Sequence, residues 1–432
     1  MISLFRNKIA KNAGWLIGSK IAQSIIGLIV GMLTARFLGP SNYGLINYAA
    51  SIVAFVAPIM NLGLSNILVQ ELTNSPEEEG KILGTSILLS LFSSFFCIAG
   101  VLSFTFIVDL SETTTHIVVG LYSIILIFQA FELIQYWYQK RLLSKYTAIV
   151  SLIAYVLVAT YKIFLLIIRA DVSFFAISNT IDYFLISASL LLLYWRLGGQ
   201  RLSFSSQIGK RMLRKSKHYI VSSLMVTIFA QTDKIMIKSM IDETAVGYYS
   251  AAVTCAGLFG FVFAAIIDSF RPVVFSYKKN GDEFGYEESI KRLYSIIIYF
   301  ALFLSVLMTI FAKYIVLLLY GEEYSNSILA LRIIVWYTTF SYMGAVRNVW
   351  ILGENKQKYL WIINLGGALL NIGLNFVFIP WLGIYGAAIA SLVTQIFANV
   401  IMNVIVWPLH YNNVLMFKSL NPIFLIKSFK GK

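Results

Sequence analysis

The chain has 432 residues, 59% of them hydrophobic and only 12% charged, with a formal net charge of +14. A charged fraction about half that of an ordinary soluble domain excludes a water-soluble globular protein. The basic excess lies in short connectors between apolar stretches, which accounts for it without a nucleic-acid partner.

A hydrocarbon core of ~30 Å needs ~20 helical residues. Twelve apolar stretches reach that length, from residues 12–37 to residues 385–408. The first is full length and is expected to stay as an anchor, since a cleavable signal carries a shorter apolar region. The second contains Pro58, which is expected to kink it. The sequence thus predicts an all-α polytopic membrane protein, with twelve transmembrane helices in two pseudo-symmetric six-helix bundles.

Charge sorts alternate connectors. One set holds Arg6, Lys8 and Lys11, then Lys140, Arg141 and Lys145, then seven Lys/Arg within residues 196–217. It continues with five within residues 271–292, then Lys356 and Lys358, and a tail with Lys418, Lys427, Lys430 and Lys432. The other set, residues 39–42, 109–116, 242–244, 320–327 and 380–383, is nearly free of Lys and Arg. Arg169 is its main exception. This positive-inside asymmetry predicts both termini on the cytoplasmic side of the membrane. One inner connector, residues 71–80, is acidic around Glu77, Glu78 and Glu79, and acidic residues have little influence on orientation.

The longest basic connector divides the chain. The expected order is an N-terminal bundle over 1–198, a cytoplasmic basic connector over 199–217, a C-terminal bundle over 218–410 and a basic cytoplasmic tail over 411–432. The connector reads as a solvated loop, although Ile208 and Met212, four apart, also suit a helix on the membrane surface. Superposing Gly44 on Gly247 matches Asn47 with Ser250 and Ala49-Ala50-Ser51 with Ala252-Val253-Thr254. With six spans per half, this points to a parallel repeat, the usual basis of alternating access. Cys97 and Cys255 both fall within spans, so no disulfide is expected.

Ionisable groups at membrane depth are costly and mark function. The cations are Lys20, Lys162, Lys234, Arg332 and Arg347; the carboxylates are Glu132, Asp182 and Asp233. A basic cavity suits a phosphate or diphosphate, with Lys acting as a point charge and Arg gripping two oxygens. Each also fits a structural role: Lys20, Lys234, Arg332 and Arg347 by reaching an interface, and Lys162 with Asp182 as a buried salt bridge. Asn364, Asn371 and Asn375 share one helical face, suited to sugar hydroxyls or to interhelical hydrogen bonds. The run Tyr136-Trp137-Tyr138 reads as an interfacial aromatic belt. The chain carries no P-loop pattern, and His116, His218 and His410 are too scattered for a metal site. No outer loop exceeds about a dozen residues, fewer than a membrane glycosyltransferase needs for its catalytic groups, so no enzyme is expected.

The run Ala35-Arg36-Phe37-Leu38-Gly39-Pro40-Ser41-Asn42-Tyr43-Gly44 resembles the first outer turn of bacterial polysaccharide flippases in the multidrug/oligosaccharidyl-lipid/polysaccharide exporter superfamily. Thr232-Asp233-Lys234-Ile235-Met236-Ile237, then Val246-Gly247-Tyr248-Tyr249-Ser250-Ala251-Ala252, is similar to the start of that family's second half. Leu382-Gly383-Ile384-Tyr385-Gly386-Ala387-Ala388-Ile389-Ala390 is similar to its last outer turn. The resemblance runs through the whole chain in order. It implies a flippase that moves undecaprenyl-diphosphate-linked oligosaccharide units to the outer leaflet, with membrane lipid, a polysaccharide polymerase and assembly proteins as partners. It implies a cationic central cavity, a role open to Lys20, Lys162, Lys234, Arg332 and Arg347. Coupling to a proton or sodium ion would fall to Glu132, Asp182 and Asp233. A multidrug or organic-cation antiporter of the same fold and a membrane glycosyltransferase are the alternatives.

Overall fold

A computed structural model describes the backbone from Ile2 to residue 422 and side chains from residue 14. The side chains of Arg6, Lys8 and Lys11, and the tail lysines Lys427, Lys430 and Lys432, lie outside the described residues. Eleven helices among the described residues are long and apolar enough to cross a membrane. The first of them, within α1 (Ile2–Met60), is two segments joined at Gly39, so the count of twelve passes stands. Gly39 has φ 70 and ψ 173, a conformation that a side chain disfavours, and Pro40 follows it where a new helical segment tolerates a missing N–H.

Two compact units divide the chain, Met1–Gln231 and Thr232–Lys432. In the first unit α1 is followed by short α2 (Leu68–Asn74) and by α3 (Glu79–Val108). The next pass is built from α4 (Thr113–Ser123), α5 (Ile125–Phe131) and α6 (Gln135–Lys140), with a tighter turn at Glu132–Ile134. Then come α7 (Ser144–Ile167), α8 (Val172–Arg196) and the first part of α9 (Ser206–Met240). The Asp171 carboxylate caps α8 by accepting from the Ser173 N–H (2.9 Å), which holds its pKa below the ordinary carboxylate range.

The unit is inside-out relative to a soluble domain. On α3, Phe92, Phe95 and Phe96 are 60–65% exposed, while Thr85, Ser86, Ser90 and Ser94 are buried. Large apolar side chains face lipid, and small polar ones let neighbouring helices approach.

A large buried core lies at the end that carries the basic connectors. Trp137, Tyr138 and Tyr194 are fully buried there, with Trp137 edge-on to Tyr138 (5.0 Å) and Tyr194 (4.9 Å). The belt expected at residues 136–138 is therefore core at Trp137 and Tyr138. Each has a buried partner for its polar atom: Trp137 Nε1 donates to Glu79 (2.8 Å), and the Tyr138 hydroxyl donates to the Leu190 carbonyl (2.7 Å).

The connector expected as a solvated loop is packed instead. The Ser203 N–H donates to the Gly80 carbonyl (3.2 Å) and the Ser205 N–H to Thr85 Oγ1 (2.9 Å). A Cβ at Gly84 would lie 2.5 Å from the Ser203 carbonyl oxygen, so only glycine admits this strap. From Ser206 the chain is helical, and Ile208 and Met212 are buried in the same core. The four-residue spacing of that pair thus marks a face turned onto protein.

The second unit begins inside α9. It continues through α10 (Glu243–Ala256), α11 (Gly260–Lys279), α12 (Glu283–Leu319) and α13 (Ser327–Gly353). After α14 (Leu360–Leu382) and α15 (Ile384–Ile396), a π-turn at Phe397–Ile401 leads to α16 (Met402–Ile405) and α17 (His410–Lys418). Asp242 caps α10 by accepting from the Ala245 N–H (2.7 Å). Its core joins Tyr286, Leu293, Tyr294 and Trp350 to Leu415 and Met416 of α17.

Candidate functional site

In the second unit, α9 places Asp233 at 7% exposure among α10, α14 and α15. Its Oδ1 accepts from the amides of Asn375 (2.7 Å) and Asn371 (3.1 Å), which stand one turn apart on α14. Its Oδ2 accepts short hydrogen bonds from the Tyr249 hydroxyl of α10 and the Ser391 hydroxyl of α15. Asn375 Nδ2 also donates to Asn371 Oδ1 (3.2 Å), while Asn375 Oδ1 is buried without a partner.

Four donors offset much of the cost of burying a carboxylate, but none of them carries a positive charge. The adjacent Lys234 makes no hydrogen bond or ion pair among the described residues. The cluster thus combines a carboxylate hydrogen-bonded only by neutral donors, an orphaned amide oxygen and two hydroxyls. Such a set of hard oxygen atoms suits a proton or a small alkali cation.

A second polar chain runs on from α15. Asn399 donates to Gln395 (2.6 Å), and Asn403 donates to the Asn399 carbonyl (2.8 Å) and to Asn413 Oδ1 (2.9 Å). Arg347 of α13 ends in this chain, buried, and donates to the Ala398 carbonyl (2.7 Å) and Asn348 Oδ1 (3.1 Å). Wider π-turn spacing leaves carbonyls without their usual helical donor, and Arg347 supplies one. Its guanidinium is engaged in the fold at both ends. Arg332, also on α13, is exposed, and Asn364 is half-buried apart from the Asp233 cluster.

In the first unit, the Lys162 ammonium of α7 donates to Asn179 Oδ1 of α8 (3.1 Å). No Lys162–Asp182 salt bridge forms, and Asp182 Oδ1 is buried without a hydrogen-bond partner. Glu132 sits half-buried in the tight turn between α5 and α6, and Lys20 is exposed on α1. Among the residues singled out from sequence, the structure brings together Asp233, Asn371 and Asn375. Among the described residues it puts none of the five cations in a salt bridge, although Asp182 and Asp233 lie near enough to Lys162 and Lys234 to act on them electrostatically.

Four contributors were missed. Tyr249 lies inside a quoted motif run and Ser391 directly after another, so both were visible as motif neighbours of an intramembrane Asp. Glu71 and Glu79 were visible as the acidic exception. Glu79 accepts from Trp137, Lys140 and Arg141 (Nη2 at 2.9 Å), and Glu71 accepts from Lys215 (2.6 Å) and Arg211 (3.2 Å). The acidic connector therefore anchors its basic neighbours.

A family model described as polysaccharide biosynthesis protein matches residues 9–278, and one described as MatE matches residues 219–377. The capsular polysaccharide biosynthesis protein CapF of Staphylococcus aureus is 20% identical over 396 residues, covering 90% of this chain and 96% of that protein. Among solved structures, an inward-facing multidrug resistance MATE transporter of the MOP superfamily superposes with a TM-score of 0.68 at 16% identity, over 91% of this chain and 95% of its own. The lipid II flippase MurJ in an inward closed conformation gives 0.66 at 15% identity, over 95% and 92%. At these identities the two structures establish the shared fold.

Proposed function

Because the chain belongs to the polysaccharide biosynthesis protein family and is a membrane transporter rather than an enzyme, we propose that it flips undecaprenyl-diphosphate-linked oligosaccharide repeat units from the cytoplasmic to the outer leaflet of the bacterial inner membrane. The observation that carries this reading is the pair of intramembrane lysines, Lys162 and Lys234, that form no salt bridge among the described residues. Lys234 makes no hydrogen bond or salt bridge among the described residues and has only the adjacent Asp233 as a charged neighbour. Lys162 hydrogen-bonds a neutral amide, while Asp182 acts on it only from beyond salt-bridge distance. A cation kept at membrane depth without a hydrogen-bonded counter-ion is poised for an anionic ligand, and a diphosphate supplies it.

The lipid tail stays in the bilayer while the sugars cross, and exposure alternates without a bond made or broken. Asp233 and its neutral donors are the candidate site for a coupling proton or sodium ion, whose binding biases one exposure over the other. An organic-cation antiporter would need a carboxylate open to a large cation. Asp233 instead has both oxygens closed by four donors, and the Asp182 Oδ1 that lacks a donor is itself buried.

The test is the sidedness of the lipid-linked oligosaccharide when the protein is depleted in its own host. Accumulation on the cytoplasmic leaflet, relieved by re-expression, is the expected result. Normal sidedness, or loss of the precursor, would overturn the reading.

A further inference from the structure

A cavity of about 410 Å³ opens within the first unit, between the end of α1, the connector after it and α9. That volume lies in the range of ligand sites, ~300–1,000 Å³. Its polar lining includes Asn61, Asn66, Gln129, Ser223, Thr227 and Gln231, and no Lys, Arg, Asp or Glu lines it.

Several of these groups retain unused capacity. Asn61 Oδ1 accepts from the Ser65 N–H (3.0 Å), which leaves its NH₂ to donate into the cavity. Asn66 spends one N–H on the Gly63 carbonyl (3.5 Å) and keeps its Oδ1. The Ser223 hydroxyl and the Gln231 amide make no hydrogen bond among the described residues. Amides and hydroxyls that both donate and accept match vicinal sugar hydroxyls, which do the same. A charged sugar would lose its hydration here without gaining a counter-charge.

Resting on the flippase reading, we propose that this cavity is a glycan subsite that selects an uncharged sugar, a neutral hexose or N-acetylhexosamine. It supplies the sugar recognition that Asn371 and Asn375, closed on Asp233, leave unfilled.

The experiment measures binding of three soluble short-chain polyprenyl-diphosphate probes to the intact protein in nanodiscs. One probe bears no sugar, one an N-acetylhexosamine and one a uronic acid. The neutral glycosylated probe should bind about tenfold more tightly than the sugar-free one, and the uronic acid probe no more tightly than the sugar-free one. Asn61→Ala and Gln231→Ala should each remove most of that tenfold gain while sugar-free binding stays unchanged, which also reports an intact fold. Equal binding of sugar-free and neutral probes, equal binding of neutral and acidic ones, or a gain that survives both substitutions would overturn the subsite and leave the flippase reading standing. If no diphosphate probe binds, the flippase reading falls and the subsite with it.

Discussion

Asp233 is the residue on which most of the second unit's polar chemistry converges. Asp233→Asn keeps the shape but turns an NH₂ toward groups that already donate, leaving donors unpaired at a cost of about 1–3 kcal/mol. The expected result is a lower melting temperature in detergent, together with loss of any sodium or pH dependence of transport in proteoliposomes. An unchanged ion response in the variant would remove Asp233 from coupling. Lys234 and Arg332 test the anion path: Lys234→Ala and Arg332→Ala should each lower polymer export severalfold at unchanged protein level, measured by surface-glycan immunoblot. Wild-type export from both would take them out of the path. Arg347 behaves differently because its guanidinium serves the π-turn carbonyl. Arg347→Ala should lower stability by about 1–3 kcal/mol, visible as reduced protein yield.

At the scale of elements, the strap over residues 199–205 and the start of α9 are bound to the first unit by backbone contacts and by Glu71. Gly84→Leu drives a side chain into the Ser203 carbonyl, so the strap has to lift. Limited proteolysis should then cut within residues 199–205 in the variant and spare the native protein; equal protection in both would refute the packing. Sequence patterning reads this region only halfway. The basic composition is plain, but the strap's contacts are main-chain hydrogen bonds to Gly80 and Thr85, which leave no side-chain signature of their own. The acidic residues 71–80 were legible as an anomaly, and their partners became identifiable only once α2, α3, α6 and α9 were brought together.

For the whole molecule, the positive-inside pattern predicts a topology that single cysteines can read. Both native cysteines, Cys97 and Cys255, are buried and should stay silent. Asn74→Cys and Asn280→Cys should react with a membrane-impermeant maleimide only in inverted vesicles, and Ser111→Cys and Ser325→Cys only in intact cells. The reverse pattern would invert the topology and the direction of transport.

Class and span count were legible in the succession of apolar stretches, because a bilayer imposes length and apolarity on every pass regardless of its neighbours. Even the break at Gly39 was written in the Gly39-Pro40 pair, since backbone conformation there is local. Partnership was not local. Asp182 and Lys162 lie at similar depth on consecutive helices and attract each other, yet make no direct salt bridge, and the ammonium donates instead to Asn179, one turn from Asp182. Asn371 and Asn375 formed a visible stripe, yet whether it met sugar or protein depended on where α9, α10 and α15 carried Asp233, Tyr249 and Ser391. Helix rotation and packing decide which polar face is closed and which is left open. Tertiary structure alone therefore assigned the closed face to Asp233 and the open one to the cavity beside Asn61 and Gln231.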